Sequence, residues 1–185
     1  MKKKLLLTLV ALSCFTLGSC GKKVGYDEAK EFATATWSTS ELSYTKCITK
    51  SVVEVKKSEG LYKALFSEGT KSNETETLVK ANTFDALKVT FDDSYTFTIS
   101  GKKLTVSKSV NAKDYLKEDD SLKVNLEGAE ISGKGFKAVY NFNEEGLLTS
   151  SKVTLDMSFV VSSSIGASIS GAINMVSTTT NTYTK

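Results

Sequence analysis

The 185-residue chain has no histidine, no arginine and no proline, and all 24 of its basic residues are lysine. Without histidine it lacks the commonest general base and the commonest zinc ligand. Serine is plentiful, but there is no G-x-S-x-G and no imidazole to activate a hydroxyl, so triad-type nucleophilic chemistry is excluded. No G-x-G-x-x-G and no βαβ rhythm occur, which excludes a doubly wound nucleotide fold. Gly133-Lys134-Gly135 lacks the residues that complete a phosphate loop and reads as a turn. The tight acidic groups, Asp92-Asp93 and Glu118-Asp119-Asp120, lack the spacing of a calcium loop and read as solvated turns. No catalytic residue, metal site or cofactor is assigned, and the chain reads as non-enzymatic. With 40% hydrophobic and 24% charged residues, it is globular and long enough for one domain with a real core.

What is present begins at the N-terminus. Met1-Lys2-Lys3-Lys4 is a basic start, and Leu5 to Leu17 is an apolar run of 13 residues. A helix that spans a bilayer core needs roughly 20 residues. The run is therefore too short to span and fits the apolar region of a secretory signal peptide. Leu17-Gly18-Ser19-Cys20 follows it directly. This tetrapeptide resembles the lipobox of bacterial lipoproteins, with an aliphatic residue three before the cysteine and small residues between. The resemblance implies cleavage between Ser19 and Cys20 and a diacylglycerol thioether on Cys20. It implies a protein held by lipid on the extracytoplasmic face of the cell membrane. The alternative is ordinary cleavage near Ser19 and a soluble secreted product. Cys14 is a poorer lipidation site, because Ala11 stands where the aliphatic residue belongs.

On this reading residues 1–19 are the signal peptide, 20–25 a lipidated tether and 26–185 a single domain. Lys22 and Lys23 in the tether can touch anionic headgroups. The leader carries three lysines and no acid, so the chain from Cys20 has 21 lysines against 21 acids and no formal net charge. A neutral, arginine-free body is a poor nucleic-acid partner. With Cys20 acylated, Cys47 has no partner for an intrachain disulfide and reads as a buried structural thiol.

Asp27 to Trp37 has helical period. Ala29, Phe32, Ala33, Thr36 and Trp37 share one face, and Asp27 and Glu28 suit the positive end of the dipole. Phe32 and Trp37 either pack on a sheet or line a cavity for an apolar ligand. From Ser43 onward the period is two. Strands are expected over Ser43–Val55, Leu61–Phe66, Val89–Ile99, Leu104–Val106, Leu122–Leu126 and Phe136–Phe142, with Gly101 in a hairpin turn. Thr70–Thr77 is polar and reads as a loop, and Asn111–Leu116 as one helical turn. From Val153 to Met175 ten of the twelve odd positions are apolar, while the even ones are nearly all polar. One face of this segment belongs in a core and the other in water. It is too long for one strand and reads as a hairpin that turns near Ser162–Ser168. Its serine content and β-branched residues oppose the rival reading, a membrane helix over Phe159–Val176.

These signals give an α+β, mostly β fold: an N-terminal helix packed on a curved antiparallel meander sheet of about eight strands. That architecture resembles the half-barrel of lipoprotein carriers and lipid-transport lipoproteins, from which the chain departs in lacking proline and arginine. The resemblance implies binding of an apolar small molecule or lipid between helix and sheet. The alternative function is a surface or scaffold lipoprotein that meets another protein through its sheet edge or the Thr178–Lys185 tail.

Overall fold

The computed structural model describes residues 21–34, 45–78, 91–110, 130–162 and 168–184. Eight strands form one open antiparallel sheet: β1 (Lys22–Val24), β2 (Lys46–Glu59), β3 (Gly69–Leu78), β4 (Thr96–Ser100), β5 (Lys103–Lys108), β6 (Glu130–Phe142), β7 (Leu148–Ser162) and β8 (Ser168–Thr184). Their order is β1-β4-β5-β6-β7-β8-β2-β3. Strands β4 to β8 run as a meander. The β2–β3 hairpin docks on the far side of β8, and β1 on the near side of β4. Two helices accompany the sheet, α1 (Tyr26–Ala33) and the single turn α2 (Tyr62–Leu65).

Alternation fixes the two faces of the sheet. Phe97 and Ile99 on β4, Leu104 and Val106 on β5, Ala138 and Tyr140 on β6 and Val153 on β7 lie in register on one side. The helix α1 packs there, with Ala29 and Ala33 fully buried. Alanine at these two positions lets the helix axis approach the sheet closely. Phe32 meets Phe142 edge-to-face at 5.5 Å, and Tyr26 meets Phe97 at 6.0 Å. Phe91, from the segment before β4, inserts among Tyr95, Phe97, Phe136 and Tyr140 with centroids 5.2 to 6.4 Å apart. Truncating one such large core side chain costs about 3–5 kcal/mol. The other side of the sheet carries serine, threonine, asparagine and lysine, which suit a wet surface.

The described odd positions of the alternating segment 153–175, namely 153–159 on β7 and 169–175 on β8, share the parity of the helix-bearing face, as the alternation requires. Among the described residues no helix is long and apolar enough to cross a membrane. The Gly101 turn joins β4 to β5. Four expectations are corrected. Leu61–Phe66 is not a strand: Tyr62–Leu65 forms a helical turn, closed by Phe66 N donating to Tyr62 O and held by the Tyr62 ring against Phe159 at 5.8 Å. Thr70–Thr77 is not a loop but lies within β3, paired with β2 residue for residue from Val55↔Gly69 to Lys46↔Leu78. Gly133-Lys134-Gly135 is not a turn but a bulge inside β6. Residues 22–24 of the expected tether are a strand, because Val24 has core to pack on and Lys22 pairs with Glu28 of α1 at 2.7 Å. The expected helical turn at Asn111–Leu116 and strand at Leu122–Leu126 lie outside the described residues, as do the signal peptide, Ser19, Cys20 and Trp37.

Candidate functional site

An open cleft of about 460 Å³ lies where β6 bulges. Register sets most of its residues in three rows. Ser107, Lys137, Thr154 and Val176 face one another across β5, β6, β7 and β8, Lys108, Phe136, Leu155 and Met175 form the neighbouring row, and Asp156 and Asn174 the next. Ala138 and Val153 belong to the helix–sheet core, so the side chains of Lys137 and Thr154, with the others of their parity, project from the helix-free face, while the Phe136 row belongs to the helix-bearing one.

The bulge shapes one wall. Gly133 and Gly135 hold φ of +123° and +73°, in the left-handed region that glycine tolerates best. The backbone is also pressed close there. A Cβ on Gly133 would stand 2.4 Å from the Asp156 carbonyl oxygen, and one on Gly135 would stand 2.3 Å from that of Lys108. The one extra residue on β6 brings Lys134 to the cleft, a bulge commonly re-aiming a side chain.

The lining therefore brings together the ammonium groups of Lys134 and Lys137, the Asp156 carboxylate, the Asn174 amide and the Thr154 and Ser107 hydroxyls. Thr154 Oγ1 donates to the Lys137 carbonyl at 3.2 Å, which leaves its methyl beside Val176 as apolar floor. Lys108 also borders the cleft, but its Nζ sits 5.2 Å from the Tyr95 ring centroid and its charge is engaged there. Two ammonium groups without an ion pair among the described residues, one carboxylate and the apolar Phe136, Leu155, Met175 and Val176 suit a compact polar group that is anionic or zwitterionic and attached to something less polar.

A second polar group lies on the helix-bearing face at the start of β2. Thr49 Oγ1 donates to Asn181 Oδ1 at 3.0 Å. Asn181 Nδ2 and Tyr183 OH both donate to the Leu148 carbonyl, at 2.9 and 2.6 Å. Cys47 Sγ lies 3.7 Å from Thr49 Oγ1. Burial pushes the Tyr183 phenol above its ordinary pKa, and the adjacent Cys47 adds to the shift. These bonds tie β8 to β2 and to the start of β7 rather than offering a site. Cys47 is free and 3% exposed, the buried thiol that the alternating pattern suggested.

Of the sequence-derived site residues, Phe32 lies in the helix–sheet core against Phe142, away from the cleft. Cys20 and Trp37 lie outside the described residues. Asp92 caps the turn before β4: its carboxylate accepts from the Ser94 amide at 2.8 Å and from the Ser94 hydroxyl, and these bonds hold its pKa below the ordinary value. Asp92 and Asp93 are both exposed. Sequence reasoning missed Lys137, Thr154, Asp156 and Asn174, which only the register of three strands brings together. Comparison with protein-family models, with curated proteins and with solved structures finds no match.

Proposed function

We propose that the chain is a lipid-anchored, extracytoplasmic binding protein without enzymatic activity, which holds the polar end of an amphiphilic small molecule or lipid in the β6-bulge cleft. Its N-terminus supplies the anchor: the basic start, the short apolar run and Leu17-Gly18-Ser19-Cys20. The observation that carries the binding role is the cleft itself, where Lys134 and Lys137 converge on an apolar floor beside Asp156 and Asn174. A wholly apolar ligand held between helix and sheet is less well supported, because Ala29 and Ala33 have no exposed surface and Phe32 fills the space against Phe142.

Native mass spectrometry of gently extracted protein is the direct test. The expected outcome is a co-purifying amphiphile that a Lys134→Ala/Lys137→Ala variant retains at least about tenfold less well, two charge-assisted contacts being worth about 1.5–3 kcal/mol each. Full retention by that variant would remove the cleft from the account.

A second reading is favoured by a separate observation. The outer strand β3 is ten residues long, every one of them is exposed, and among the described residues it pairs only with β2. Such an edge can accept a strand from another protein. The C-terminal strand cannot do this over residues 172–180, because there β8 is flanked by both β7 and β2. A photo-crosslinker at Asn73 that traps a protein in intact cells, with none trapped from Thr180, would support this reading over the first.

A further inference from the structure

The start of the ordered body is fixed to the sheet. Lys22, Lys23 and Val24 pair with Ile99, Thr98 and Phe97, and Lys22 Nζ lies 2.7 Å from Glu28. Even Gly21 is packed, since a Cβ there would stand 2.4 Å from the Thr98 side chain. Residue 20 is one peptide unit away, with its Cα about 3.8 Å from that of Gly21. An acyl group on Cys20 would thus enter the bilayer with no stalk between it and the sheet, and the sheet must rest against the headgroups.

Charge selects the face that rests there. On the helix-free face, β1 presents Lys23, β5 presents Lys103, β6 presents Lys137 and β7 presents Lys152. Thr98, Ser100, Thr105, Asn141 and Ser150 lie between them. Among the described residues of β1 and β4–β7 no carboxylate stands in these rows; on β2 Glu54 continues the Lys137 row beyond Val176, and Asp156 lies in the next row, at the cleft. Among the described residues none of the four lysines is ion-paired. Farther out, on β2 and β3, Lys50 and Lys46 are neutralised by Glu74 and Glu76 at 3.1 and 2.9 Å. Glu28 and Glu144 are paired with Lys22 and Lys102. Positive charge is therefore concentrated on one face next to the acyl group.

We infer that the helix-free face of β1 and β4–β7 lies on the anionic surface of the protein's own membrane, held by Lys23, Lys103, Lys137 and Lys152, with the cleft opening onto the headgroups. This rests on acylation of Cys20. It also deepens the ligand reading, since a cleft so placed meets lipid headgroups without extracting the lipid.

The test uses the lipidated full protein in nanodiscs of phosphatidylcholine alone or with anionic phosphatidylglycerol. Fluorophores are attached at Thr178→Cys on the helix-free face or at Lys30→Cys on α1, and headgroup nitroxides serve as quencher. In anionic discs the Thr178 probe should be quenched strongly and the Lys30 probe little. Each lysine reversed among Lys103→Glu, Lys137→Glu and Lys152→Glu should lower the ratio of face-down to other orientations about thirtyfold, an anionic surface attracting each cation by about 1 kcal/mol and a reversal changing the charge by two. High salt should act in the same direction. Equal quenching of the two probes, or quenching indifferent to the reversals and to phosphatidylglycerol, would overturn the inference. Intact mass on the same sample separates the two layers: a Cys20 without acyl chains sinks the anchor, whereas an acylated protein with equal quenching sinks only the orientation.

Discussion

At the scale of single residues, Tyr140 carries an avoidable cost. Tyr140 is 1% exposed and, among the described residues, its hydroxyl has no hydrogen-bond partner. A buried donor left unmade costs about 1–3 kcal/mol. Tyr140→Phe should therefore stabilise the protein by about 1 kcal/mol, read as a rise in Tm of roughly 2–4 °C. The same burial pushes the Tyr140 phenol above its ordinary pKa, with a smaller contribution from Tyr95. Tyr183 is raised for the same first reason. An unfolded tyrosine releases its proton near pH 10. Above that pH the unfolded chain loses protons that the folded chain keeps, so stability falls as pH rises. Phenolate absorbance from Tyr140 and Tyr183 should appear only together with loss of the β-sheet circular dichroism, and the double variant Tyr140→Phe/Tyr183→Phe should unfold at higher pH. Release of all seven tyrosine protons before any loss of structure would contradict this account of their burial.

At the scale of elements, legibility followed burial. Strands β6, β7 and β8 could be read from the sequence because each presents one face to a core, and the alternation of Val153 to Met175 is the imprint of that. Strand β3 could not. It buries no face, its threonines and glutamates show no apolar period, and it forms because β2 offers a ladder and the Lys50–Glu74 and Lys46–Glu76 pairs, each worth about 0.2–1 kcal/mol. The turn α2 was misread because four residues are too few to show a period, and the contact that fixes it, Tyr62 on Phe159, joins positions 97 apart in the chain. The Gly133-Lys134-Gly135 triplet was visible, but its role was not, since a bulge is defined by the partner strand and not by the bulged one. Gly133→Ala should destabilise the fold by about 1–3 kcal/mol in urea titration, through the strained φ and the close Asp156 carbonyl. Binding should weaken with it, because Lys134 loses its position. A variant of unchanged stability and affinity would show the bulge to be incidental.

At the scale of the whole molecule, the sheet separates two jobs. One face carries α1 and the aromatic core and supplies stability. The other carries lysines and hydroxyls. The cleft lies close to the β4–β5 turn: from the row of Lys103 and Asn141 to the row of Ser107 and Lys137 is four residues, about 13 Å along the strand. A β-rich body with one helix-bearing face was legible in the residues. The cleft and the one-sided charge were not, because both arise where strands distant in sequence come into register. All of this depends on where the chain is cut and what is attached there. The decisive measurement is the intact mass of the detergent-extracted protein, with the N-terminal peptide sequenced by fragmentation. The account expects a chain that begins at Cys20 and carries acyl-glycerol mass on that residue. A chain that begins at any other residue, or an unmodified Cys20, would contradict it.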